Sequence, residues 1–171
     1  SIIIFDNNQP AANAGADQSF CEPVSSATLA GNAAPFPASG VWTWVSGPVT
    51  PTIVSPSNST TQVTGLGVGA NVFRWTISNG PCAPATTFDE VTILIYDIDQ
   101  PAANAGPDQF LCSPTFNTQL AANNAFFPAT GTWTLISGSG TIANPSSSAS
   151  LVSGLAVGEN IFRWTISNGP C

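Results

Sequence analysis

Four cysteines, Cys21, Cys82, Cys112 and Cys171, carry most of the covalent chemistry open to this 171-residue chain. Two of them end Asp-Gln-x-x-Cys segments, Asp17 to Cys21 and Asp108 to Cys112, and two end Asn-Gly-Pro-Cys segments, Asn79 to Cys82 and Asn168 to Cys171. No pair has Cys-x-x-Cys spacing, and the chain has no histidine, so zinc binding is the weaker reading and disulfides are the stronger. Disulfides in turn imply an oxidising, extracytoplasmic setting. Of the three connectivities open to four cysteines, the duplication favours Cys21 with Cys82 and Cys112 with Cys171, one bridge per repeat, each clamping one end of its domain.

Other chemistry is sparse. The acidic stretch Asp97-Ile98-Asp99, with Asp108 beyond it, comes nearest to a calcium site between extracellular domains. Calcium needs six to eight oxygens, and the equivalent Asp6-Asn7-Asn8 is a carboxylate poorer, so no metal or other cofactor is expected. Arg74 and Arg163 are the only cations. Either could hold a carboxylate or sulfate, but a role within the sheet, lying over neighbouring side chains or paired with an acid, suits them better. Without His, Lys or a repeated pair of acids, general acid–base catalysis has no candidates, and an enzyme is not expected. Asn58-Ser59-Thr60 fits the N-glycosylation triplet, a pattern that arises often by chance in a chain rich in Asn, Ser and Thr.

The elements that must position these residues come in duplicate. Arg-Trp-Thr-Ile-Ser-Asn-Gly-Pro-Cys occurs at 74–82 and again, letter for letter, at 163–171. With the residues before it, each copy alternates, Phe73, Trp75 and Ile77 on one face and Arg74, Thr76 and Ser78 on the other, which is the period of a half-buried strand. Gln9-Pro10-Ala11-Ala12-Asn13-Ala14-Gly15 recurs as Gln100 to Gly106, and Ser1 to Asp6 matches Thr92 to Asp97. Further strands are expected at Asp17 to Cys21, Ala27 to Ala30, Val41 to Val45 and Thr61 to Val63, with counterparts in the second repeat, and at Val91 to Tyr96 in the first repeat alone. Trp42 and Trp44, or Trp133 and Leu135, share one phase and are expected to anchor the core. Indole faces can stack on sugars, but the strand phase of Trp42, Trp75, Trp133 and Trp164 is that of a core.

Seven or so short strands per repeat, with turn residues throughout and no helical period, describe an all-β chain of tandem immunoglobulin-like β-sandwiches arranged head to tail. The expected boundaries are 1–8 as the last strand of a preceding repeat, 9–99 as the first repeat, and 100–171 as a second repeat lacking its final strand. Charged residues make up 6% of the chain and the net charge is -7, which repels nucleic acid and anionic membranes. No apolar run approaches the roughly 20 residues of a membrane helix.

The pattern Ala-Gly-x-Asp-Gln-x-x-Cys, Gly-x-Trp-Thr, Gly-Leu-x-x-Gly-x-Asn-x-Phe-Arg-Trp-Thr-Ile-Ser-Asn-Gly-Pro-Cys and Asp-Glu-Val-Thr-Ile resembles the PKD-like or Ig-like tandem repeats of giant surface adhesins in the Bacteroidota, including their SprB-like gliding-motility adhesins. The resemblance covers both repeats. It implies export to the bacterial cell surface and a long stalk or filament in which the partners are neighbouring repeats of the same protein. A module that binds polysaccharide or a solid surface, in an adhesin or a secreted hydrolase, is the other function class.

Overall fold

The structure, a computed structural model, describes all 171 residues and is all-β, with no helix. The chain divides into two compact units, the first comprising Ser1–Tyr96 with Pro170–Cys171 and the second Asp97–Gly169.

The first unit has seven strands: β1 (Gln18–Cys21), β2 (Ser26–Ala30), β3 (Ser39–Ser46), β4 (Thr52–Ile53), β5 (Thr60–Thr64), β6 (Gly69–Ser78) and β7 (Thr86–Tyr96). They form two sheets, β1-β7-β6-β3 and β2-β5-β4. All neighbours are antiparallel except β1, which runs parallel to β7. This is the immunoglobulin-like strand order, with the second, fifth and fourth strands on one sheet and the third, sixth and seventh on the other.

Alternation in β6 buries Phe73, Trp75 and Ile77, and the same period in β7 buries Val91, Ile93 and Ile95. With Trp42, Leu29 and Val63 they fill the space between the sheets. Trp42 and Trp75 are cross-strand neighbours with ring centroids 5.1 Å apart. Their indole N–H groups donate to the carbonyls of Ser59 and Asn32, so burial leaves neither donor unpaired. The Trp75 ring packs closely against Gly40, where an added Cβ would come within 2.2 Å of it. Gly131 and Trp164 repeat this close approach in the second unit.

That second unit has β8 (Asn117–Gln119), β9 (Thr130–Ser137), β10 (Thr141–Ile142), β11 (Leu151–Ser153) and β12 (Ile161–Ser167), in sheets β10-β11-β8 and β12-β9. Its core is smaller, built on Leu120, Trp133, Val152 and Trp164, with the two indoles 5.2 Å apart.

One expectation of packing is corrected. Trp44 shares a strand phase with Trp42, yet it is 37% exposed, and its counterpart Leu135 is 39% exposed. The opposing sheet is made of strands only two to five residues long, and the β3–β6 ladder shifts register between Trp44 and Ser46. The end of β3 therefore passes beyond the covered part of the core.

Candidate functional site

The chemistry-bearing residues gather at the cysteines, and the strand directions decide where each one sits. Cys21 closes β1 opposite Tyr96, because β1 runs parallel to β7. The Glu22 N–H donates to the Tyr96 carbonyl at 3.0 Å, and a turn joining Val24 N–H to the Cys21 carbonyl stops the strand. Cys21 is bonded to Cys171, with Cα atoms 5.6 Å apart, within the ordinary range for a disulfide.

The expected pairing of Cys21 with Cys82 and Cys112 with Cys171 is therefore corrected: Cys82 and Cys112 are free thiols. The reason is direction. β6 is antiparallel to β7, so Ser78 lies opposite Thr86, at the far end of β7 from Tyr96. Cys82 follows Ser78 and Cys21 faces Tyr96, so the two are separated by most of an eleven-residue strand, about 33 Å at 3.3 Å per residue. Cysteines whose Cα atoms are more than about 7 Å apart cannot be bridged without moving the backbone.

Cys82 sits on a turn of its own, its N–H donating to the Asn79 carbonyl, with Sγ 3.7 Å from the carbonyl oxygen of Phe5. Asn79 Nδ2 donates to the Asp6 carbonyl at 2.8 Å, and the Phe5 ring covers Gly80, where a Cβ would clash at 2.5 Å. The duplicate turn behaves alike, since Asn168 Nδ2 donates to the Asp97 carbonyl at 2.8 Å. The Asn-Gly-Pro-Cys turn thus grips the end of an Ile-rich segment twice, at Asp6 and at Asp97. Residue types alone mark this tetrapeptide only as a turn. Its identity in both copies is the signal that its side chains also make contacts.

A second feature that sequence reading misses is Asn71. It is fully buried, and its Nδ2 lies within hydrogen-bond reach of the carbonyls of Gly67, Gly69 and Ile93 at 2.9 to 3.3 Å. The carboxamide satisfies backbone groups where the chain enters β6, which a buried carbonyl requires.

The remaining candidates resolve individually. Asp97 Oδ1 accepts from the Asp99 N–H at 2.7 Å, as Asp6 Oδ1 does from Asn8. Both are local turns, and Asp97, Asp99 and Asp108 do not come together as a group able to share a cation. Arg74 pairs with Glu90 on the neighbouring strand, at 2.6 and 2.9 Å, and lies 4.3 Å from the centre of the Phe88 ring. Arg163 has no such partner. Asn58 is on an exposed turn at the rim of a shallow depression of about 400 Å³ that reaches Trp75. Trp75 is 1% exposed there, so it offers no face for stacking.

No protein-family model matches the chain, and no curated protein matches it. Among solved structures it is similar to the PKD domain from the KIAA 1837 protein, at 28% identity and TM-score 0.44 over 53% of this chain and 90% of that one. The PKD domain of human KIAA0319 is similar at 20% identity and TM-score 0.44, over 58% of this chain and 88% of that one. The tandem Ig repeats of Dlar are similar at 14% identity and TM-score 0.37, over 94% of this chain and 90% of that one.

Proposed function

We propose that this chain is a spacer segment of an extracellular surface protein, in which immunoglobulin-like repeats follow one another head to tail and hold a terminal region away from the cell. The observation that carries the reading is the Cys21–Cys171 bond. It ties the first repeat to the last cysteine of the second repeat across 150 positions, so the duplicated sequence is also covalently cross-tied, as suits a load-carrying array better than a pair of independent binding modules. A disulfide also suits export from the cytoplasm. The motifs shared with the adhesin repeats of the Bacteroidota support a finer version, at a bacterial cell surface, in adhesion or gliding.

One observation favours a second reading, contact with polysaccharide or a solid surface. Phe36 and Phe127 occupy equivalent loops and are 86% and 67% exposed. Repetition of an exposed aromatic suits weak, multivalent attachment. A glycan array and an adsorption assay on cellulose and silica, run on the oxidised chain and on its Phe36→Ala, Phe127→Ala double variant, test both. Absence of retention supports the spacer. Retention lost in the double variant would replace it with the binding reading.

A further inference from the structure

The Asn-Gly-Pro-Cys turn holds the only two Asn-Gly pairs of the chain, Asn79-Gly80 and Asn168-Gly169. Asparagine before glycine is prone to close on itself. The nitrogen of the next residue attacks the side-chain carbonyl, and glycine has no Cβ to obstruct the approach. In both copies the glycine stands in the left-handed region, at φ 56° and 55°, and in both the Asn Nδ2 donates to a main-chain carbonyl, of Asp6 or of Asp97, at 2.8 Å. The arrangement is thus a property of the turn. Other asparagines with backbone-bonded carboxamides lack it. Asn71 and its counterpart Asn160, whose Nδ2 reaches the carbonyls of Ala156 and Gly158, are followed by the β-branched Val72 and Ile161, which hinder the same approach.

Asn79 is 5% exposed, and its side chain is held from one side only. Nδ2 donates to the Asp6 carbonyl, while Oδ1 is buried and receives no hydrogen bond, an idle acceptor that weakens the hold of the site on the carboxamide. The Phe5 ring fills the place beside Gly80 where a Cβ would stand. Gly80 is nonetheless exposed, and its N–H has no acceptor within the chain, so hydroxide can reach that proton. One hydrogen bond and one ring, both from residues 5 and 6, keep the resting turn from closing.

We propose that Asn79 is a site of covalent self-modification that acts as a one-way latch on Phe5 and Asp6. While these two are seated, the carboxamide is pinned and the turn persists. When they leave, the Gly80 nitrogen gives its proton to hydroxide and attacks Asn79 Cγ. The bond from Cγ to Nδ2 breaks, and ammonia departs with a proton taken from water. Water then opens the cyclic imide at one of its two carbonyls, leaving aspartate or isoaspartate at position 79. In sum, one carboxamide and one water become one carboxylate and one ammonium ion, with no oxidation or reduction. The product cannot seat Asp6 again. A carboxylate has no proton to give the Asp6 carbonyl, its return to so buried a place would strand a charge, and isoaspartate adds a carbon to the main chain of a tight turn. Cys82, half-buried with Sγ 3.7 Å from the Phe5 carbonyl, then loses that neighbour. The inference stands apart from the spacer reading, since it rests on the turn alone.

The test ages the 171-residue chain and its Phe5→Ala variant at mildly alkaline pH and follows conversion by tryptic mapping, in which Asn79 falls on Trp75–Arg163 and Asn58 on Ser1–Arg74, with the site assigned by fragmentation mass spectrometry. Phe5 lies outside the core cluster, so its removal should leave the sheets folded. It should speed conversion of Asn79 on the order of tenfold, the change in open population that loss of about one hydrogen bond's worth of restraint produces. Both rates should climb in proportion to hydroxide. Asn58, exposed and followed by Ser59, is the ungated reference and should convert equally in the two chains. A second measurement needs no ageing: in an Asn79→Asp variant, alkylation of Cys82 should approach the rate of the exposed Cys112, as it should in the aged unaltered chain. Equal conversion of Asn79 with and without the Phe5 ring, Asn58 changing in step with Asn79, or Cys82 in Asn79→Asp as slow as in the unaltered chain would overturn the proposal.

Discussion

Replacing Cys171 with serine should weaken the first unit and spare the second, although Cys171 ends the second repeat. The bond it makes closes a loop of 150 positions on Cys21, which on the chain-entropy account restrains the unfolded chain by about 5 kcal/mol. If the second unit stays folded while the first opens, the flexible part of that loop is about half as long, and halving a loop changes the closure term by only about 0.6 kcal/mol. A loss of about 4 to 5 kcal/mol for the first unit is therefore expected either way, a large share of the 5 to 15 kcal/mol typical of a whole domain. With a urea dependence of about 1 to 2 kcal/mol per molar, the unfolding midpoint of the first unit should fall by roughly 2 to 5 M. Hydrogen exchange read by mass spectrometry separates the units: protection should fall across β6 and β7, with 117–167 little changed. Loss confined to 117–167, or a Cys82→Ser variant as damaged as Cys171→Ser, would refute the reasoning by restoring one bridge within each repeat.

Two arginines make the pairing readable by trypsin. Non-reducing digestion of the alkylated, denatured chain should yield Ser1–Arg74 joined to Trp164–Cys171, and Trp75–Arg163 alone with two alkylated thiols; a single three-fragment species would show that Cys21 and Cys171 are not bonded to each other. Asn71→Ala should cost the first unit about 2 to 3 kcal/mol in urea unfolding, because it strands buried carbonyls, and Asn160→Ala should cost the second unit about half that or less, since water reaches the same groups. Glu90→Gln should cost only about 0.5 kcal/mol, because both partners of the Arg74 pair are 39% exposed, and the difference should vanish at about 1 M salt. Chelation should shift the thermal midpoint far less than reduction does, as differential scanning calorimetry would record.

Much of the first unit is legible in the sequence because burial in a strand leaves a period-2 trace. Phe73, Trp75 and Ile77 stand in β6 as their alternation implies, and the expected strands at Ala27 to Ala30 and Thr61 to Val63 fall within β2 and β5. Trp44 departs from its expected burial because alternation reports which face a side chain is on, not how far the opposite sheet extends. The cysteines depart for a related reason. Spacing shows that Cys21 ends the first strand and that Cys82 follows the sixth, but only the parallel pairing of β1 with β7 places them at opposite ends of the sheet. Asn71 reads in the sequence as one more polar residue ahead of a strand. Its role depends on a carbonyl 22 positions away, at Ile93.

The parallel pairing of β1 with β7 also fixes how the first unit answers to tension. The chain enters the sheet at Gln18, where β1 begins, and leaves it at Tyr96, where β7 ends. A pull applied at those two points draws the strands along each other in opposite directions, so the ladder between them is sheared and its hydrogen bonds bear the force together. Had β1 run antiparallel to β7, the same two points would lie at one end of the ladder, and the bonds would break singly and in sequence, like a zip opening.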